Sequence, residues 1–154
     1  MSQRRPNYVG IIAGAIVLFA FGAIWYTALS GAWLEAVGKT KEELDAYGFW
    51  PYVVSFISGL FVSYCFDNML WHYERGNATK GLQVGILTGV CIFTAMLANL
   101  YSFEGRSIAL MLIDAGYGII GFALAGLTVG AVRGRMNRAP GQSATAEPET
   151  LPVS

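Results

Sequence analysis

Four long apolar runs divide the chain. They cover Tyr8 to Leu29, Trp50 to Leu70, Leu82 to Phe103 and Ile108 to Val132. The first and third hold no charged residue, and the second and fourth hold one acid each, Asp67 and Asp114. Each run is close to or above the roughly 20 residues an α-helix needs to cross the hydrocarbon core of a bilayer. Period-two alternation is missing, which argues against a membrane β-barrel. Buried helices of soluble domains are rarely so long and apolar on every side. The pattern predicts an all-α integral membrane protein with four transmembrane helices. The connections are short, so neighbouring helices are expected to run antiparallel, as a four-helix bundle.

The polar stretches refine this picture. Arg4 and Arg5 before the first run, with Ala28-Leu29-Ser30 after it, have the outline of a secretory signal. The apolar stretch is longer than the roughly 7–15 residues of a signal core, so an uncleaved anchor is expected. Trp25, Tyr26 and Trp33 then serve as an interfacial anchor. In the loop from Ser30 to Phe49, Thr40 followed by Glu43 fits a capping box and predicts a short helix over Lys41 to Tyr47. Residues His72 to Thr79 form a tight polar link, and Glu104-Gly105-Arg106 a hairpin turn. The transmembrane domain is expected over residues 1–136. Residues 137–154 are rich in Pro, Gly, Ser, Thr and Glu and are expected to form a disordered tail.

Basic residues set the orientation. With the N-terminus inside, Arg4, Arg5, Arg75, Lys80, Arg133, Arg135 and Arg138 face the cytoplasm, and Lys39, Lys41 and Arg106 face out. Seven against three predicts both termini inside a cytoplasmic (inner) membrane. Composition agrees with a membrane chain: 55% of residues are hydrophobic and 13% charged, with no net charge. That excludes a disordered chain and argues against nucleic acid as a partner.

Small residues four apart supply ridges for close helix packing. They include Gly10 and Gly14 in the first run and Gly81, Gly85 and Gly89 at and in the third. The second has Ser55, Gly59 and Ser63, and the fourth Gly126, Gly130 and Gly134. The ridges suit packing within one chain and also contact with a second copy.

An ionisable group within a bilayer is costly and calls for a partner. Asp67 lies four residues before Trp71, within reach of headgroups or Arg75. Asp114 lies six residues past Ile108, about 9 Å along the helix. Tyr117, Gly118 and Gly121 share its helical face, so that face is expected to point into protein. Asn99 falls on the face of Gly81, Gly85 and Gly89 and is expected to meet Asp114, with Tyr117, Tyr101, Glu104 and Arg106 around them. Arg106 is expected to reach toward Asp114. Such a cluster is either a structural network or an outward-facing ion or solute pocket.

Ile24-Trp25-Tyr26, Trp33, Gly38 and the segment Leu112-Ile113-Asp114-Ala115-Gly116-Tyr117 together resemble a bacterial membrane-protein family catalogued as domain of unknown function 1761. The resemblance covers most of residues 8 to 132 and implies a small four-helix membrane protein. It implies no activity. Where the resemblance leads one to expect His after Tyr117, this chain has Gly118.

Catalytic patterns are missing. His72 is the one histidine and lies at a predicted helix end, where an interfacial anchor suffices. Cys65 and Cys91 fall in apolar runs and suit packing better than a disulfide or metal pair. An intramembrane aspartyl protease needs two carboxylates in near contact, and Asp67 and Asp114 are expected in opposite leaflets. No cofactor or metal is expected. The expectation is a non-enzymatic membrane protein that acts through helix packing with itself or a protein partner. The alternative is an oligomeric small-solute or proton-coupled channel or transporter built around Asp114.

Overall fold

The computed structural model describes residues 6–73 and 76–138, which are mostly helical and include no strand. Helix α1 (Tyr8–Ala28) begins at Asn7, whose side-chain oxygen accepts from the Gly10 N–H at 2.9 Å. That bond satisfies one of the four free donors at a helix start. After Leu29 the chain continues as α2 (Ser30–Val37), which stops where Gly38 turns left-handed at φ 70°. Helix α3 (Lys41–Asp45) carries the expected capping box: Thr40 accepts from the Glu43 N–H, and Glu43 accepts from the Thr40 N–H at 2.8 Å. It is shorter than expected, with Tyr47 already in a turn.

Helix α4 (Trp50–Trp71) opens with Pro51 in its first turn, where the missing N–H costs nothing. Asn77 caps α5 (Ala78–Thr88) by accepting from the Lys80 N–H at 3.1 Å. A π-helical segment, Gly89–Thr94, then leads into α6 (Ala95–Glu104). Gly105, at φ 65°, ends α6. The Ser107 hydroxyl accepts from the Leu110 N–H at 3.2 Å and opens α7 (Ile108–Arg138).

Among the described residues, four helices are long and apolar enough to cross a membrane: Tyr8–Ala28, Trp50–Trp71, Ala78–Glu104 and Ile108–Asn137. Two differ from the sequence reading by more than one residue. The third span starts at Ala78 rather than Leu82, because the Asn77 cap fixes its first turn. The last helix continues past Val132 to Arg138, so Asn137 and Arg138, assigned to the tail, are helical. The rest of that tail, 139–154, and Arg4, Arg5 and Arg75 lie outside the described residues.

Helix α7 is the central element, packed against α5, α1 and α4. Its closest approach is to α5. A methyl group on Gly81 would overlap the Gly126 carbonyl, and one on Gly85 would overlap that of Phe122. Backbones this close exclude any residue but glycine at both positions. Gly89 extends the ridge: its Cβ would lie 2.8 Å from the Ile119 Cα. Gly14 faces Ser63 and Val129, and Gly59 faces Ala15, which joins α1 to α4. At Gly10 the nearest atoms to the missing side chain belong to Asn7, whose side chain caps α1. Gly118 receives the Phe93 ring, and Gly121 the Leu18 side chain.

The core joins Leu18, Phe66, Leu70, Val84, Phe122, Ala125 and Val129. Outside it, large apolar side chains face outward along every span, including Ile16, Phe61, Ile92 and Leu112. Lipid suits such a surface; water does not.

The π segment changes the register of the third span. A wider turn makes later residues lag by roughly one residue's rotation, about 100°. The Thr94 hydroxyl donates to the Gly89 carbonyl five residues back, at 2.8 Å. In an uninterrupted helix Asn99 would share the face of Gly81. The lag turns it away and swings Tyr101 toward α7.

Candidate functional site

Two polar clusters occupy opposite ends of α7. Asp114 and Arg133 are 19 residues apart on it (133 − 114), about 28 Å at the helical rise.

The first cluster surrounds Asp114, which is 8% exposed. Tyr26 Oη donates to Oδ1 at 2.8 Å, and Tyr101 Oη donates to Oδ2 at 2.7 Å. One carboxylate therefore ties the end of α1 and the end of α6 to the start of α7. The Trp25 indole N–H donates to the Ile113 carbonyl at 3.1 Å beside it. Gly116 makes this possible, since a side chain there would press on the Trp25 ring. Tyr117 stacks on Phe21 with centroids 6.1 Å apart and lies 5.3 Å from Tyr26, whose other side meets Trp33 at 5.5 Å. The aromatic rings pack against one another and enclose the carboxylate.

The structure thus brings Tyr101 to Asp114, joins Tyr117 to the cluster through the Tyr26 ring, and leaves three expected members apart. Arg106 turns away: its Nε lies 2.6 Å from Glu104 Oε2, and its guanidinium lies 5.6 Å from the Tyr101 ring centre. The Glu104 hydrogen bond raises the pKa of this guanidinium above its ordinary value. Glu104 is taken up by the same exposed pair, so neither reaches Asp114. Asn99 is exposed in a lateral groove beside Met96 and Leu100, because of the register lag. Tyr26, read from sequence only as an interfacial anchor, is the donor that was missed. A signal existed. Tyr26 lies two residues before the end of α1 and Asp114 six after the start of α7, so antiparallel pairing sets them at similar depth.

The second cluster was not expected as a site. Asp67 is fully buried and does not face headgroups. Its Oδ1 accepts from Arg133 Nε at 2.9 Å and Nη2 at 2.6 Å, while Oδ2 accepts from the Asn7 backbone N–H at 3.3 Å. The start of α1, with its positive dipole end, thus adds to the Arg133 charge. Arg133 is 6% exposed, and its guanidinium lies 5.5 Å from the Trp71 ring centre. Asn7 is buried too, and its amide donates to the Val129 carbonyl at 3.4 Å. Sequence distance hid the pair: Arg133 lies 66 residues from Asp67, whereas Arg75 lies close by in the link.

Among the described residues, no serine, cysteine or histidine side chain is hydrogen-bonded to Asp114 or Asp67. His72 is exposed at the end of α4, its Nδ1 3.0 Å from the Asn68 carbonyl. Cys65 and Cys91 are free thiols on exposed faces, not packed inside. Among the described residues, no three of His, Cys, Asp and Glu could hold a metal ion. What the arrangement can do chemically is bind helices together and hold one carboxylate on two phenols.

No curated protein and no solved structure matches the chain. The model of a family described as a protein of unknown function, DUF1761, matches residues 9–130, and the chain belongs to that family.

Proposed function

We propose that this chain is a multi-pass protein of the cytoplasmic membrane that has no catalytic activity and acts through helix packing with itself or a protein partner. In this reading the four spans form an antiparallel bundle with both ends on the cytoplasmic side. One observation carries it: each carboxylate at bilayer depth is bonded by groups from two other helices, Asp67 by Arg133 and Asn7, Asp114 by Tyr26 and Tyr101. Intramembrane acids engaged in this way hold a fold together. Two carboxylates bonded at opposite ends of α7, one of them to Arg133 about 28 Å along the helix from Asp114, cannot share a proton as a protease pair does.

The orientation rests on charge. Arg133 leaves the count of cytoplasmic charges, because Asp67 neutralises it inside the protein. Six basic residues against three still favour cytoplasmic ends. The hydrogen bonds agree with alternating spans: the start of α1, the end of α4 and the end of α7 meet at Asp67, and the opposite ends of α1 and α7 meet at Asp114.

A second reading, a proton-coupled carrier, draws on one feature. The hydrogen-bond donors to Asp114 are two phenols, while the nearby Arg106 is bonded to Glu104. Proton and alkali-cation flux in proteoliposomes separates the two. The packing reading expects no flux above protein-free vesicles. Flux in the wild type that vanishes in a folded Asp114→Asn variant would replace it with the carrier reading.

A further inference from the structure

The third span leaves a lateral groove of about 820 Å³ beside α7. Ile92, Phe93, Met96 and Leu100 line it from the third span, and Phe122 from α7. Phe93 forms its floor, lying over Gly118 with its ring 5.3 Å from that of Phe122. The lining is apolar except at one point, Asn99. The Asn99 amide has no hydrogen-bond partner among the described residues, and an amide left unbonded in hydrocarbon is costly.

Depth identifies what satisfies it. The span Ala78–Glu104 has 27 residues, about 40 Å of helix, and centred on a core of roughly 30 Å it would overhang by about 5 Å at each end. Asn99 lies five residues before Glu104, about 7.5 Å in, and so just inside the hydrocarbon boundary. Ile92 lies a further seven residues down, about 10 Å deeper. From mouth to floor the groove offers one hydrogen-bond donor and then apolar wall. A glycerolipid has the same order, an ester carbonyl followed by an acyl chain. The volume falls in the range of small-molecule sites, and roughly two turns of a helix 10–12 Å wide would already fill it. Exposed Met96 adds a side chain that adapts to a flexible chain.

We propose that this groove holds one acyl chain of a glycerophospholipid, with Asn99 Nδ2 donating to its ester carbonyl. The inference rests on the membrane reading of the four spans and goes beyond it by naming a bound lipid class and a recognising residue.

Native mass spectrometry of the full chain, released from detergent after incubation with dioleoyl phosphatidylcholine or its diether analogue, tests it. The wild type is expected to retain one ester lipid and to prefer it over the ether form roughly threefold to tenfold, the worth of one hydrogen bond. Asn99→Leu is expected to keep binding and lose the preference. Met96→Trp, which fills the groove from an exposed position, is expected to lose the retained lipid. Ile57→Trp, on the outward face of α4, is expected to behave as wild type. Equal retention of both lipids by the wild type, or unchanged retention by Met96→Trp, overturns the proposal. A wild-type dimer that Asn99→Leu converts to monomer also overturns it and assigns the groove to a second copy. A protein that stays monodisperse without detergent would instead overturn the membrane reading itself.

Discussion

Removing either partner of the Asp67–Arg133 pair leaves a charge buried without its counterion. Asp67 has almost no access to solvent, so the loss is not screened as it would be at a surface. Arg133→Met is expected to destabilise the protein by about 3–5 kcal/mol in reversible unfolding from mixed micelles. The double variant Asp67→Leu, Arg133→Met is expected to recover most of that, since an apolar pair of similar volume needs no counterion. A double variant as unstable as the single would contradict the assignment. Tyr26→Phe and Tyr101→Phe each remove one donor to Asp114 and keep the ring. Each is expected to cost about 0.6–1.7 kcal/mol, the range for interhelical hydrogen bonds in membranes. Together they are expected to cost more than their sum, because the carboxylate then has no phenol left. Additive effects in a double-mutant cycle would deny that the two phenols share one acceptor.

The helices depend on glycine where backbones touch and not where they are open. Gly81→Ala puts a methyl group into the Gly126 carbonyl and forces α5 away from α7. A cost of about 1–3 kcal/mol is expected from overpacking. Gly31→Ala in α2 meets nothing within 4 Å and is expected to stabilise slightly, by up to about 1 kcal/mol, through helix propensity. The same unfolding measurement reads both, and equal effects would contradict the close approach. The π segment offers a sharper test. Deleting exposed Cys91 takes the extra residue out of the wide turn, so a plain α-helix still carries Tyr101 to Asp114. In that background Tyr101→Phe is expected to cost as much as in the unshortened chain; a cost that vanishes would show that the segment does not hold one extra residue. Hydrophobic runs marked all four spans, because length and apolarity are local properties. The Thr40–Glu43 box and the Gly81–Gly85 ridge were legible for the same reason. The π turn was not, since nothing in Gly89–Thr94 distinguishes it from an α-turn. Asn99 therefore received the wrong face; Tyr26 was legible only through the matching depths of the α1 end and the α7 start. The tie of Asp67 to Arg133 depends on which helices become neighbours, which no local pattern encodes.

In the proposed arrangement of the whole molecule, four spans cross a bilayer, with the Asp67 cluster toward the cytoplasm and the Asp114 cluster toward the outside. Helix α7 connects the two, and α1 takes part in both. Charge, hydrogen bonds and outward apolar faces all bear on this arrangement. Labelling tests it most directly. In a Cys65→Ala, Cys91→Ala background, single cysteines at exposed Lys39, Arg106, His72 and Met136 are treated in intact cells with a membrane-impermeant maleimide. The proposed arrangement predicts labelling at 39 and 106 without permeabilisation, and at 72 and 136 only after it. Labelling of 72 or 136 in intact cells, or protection of 39 and 106, would contradict the arrangement.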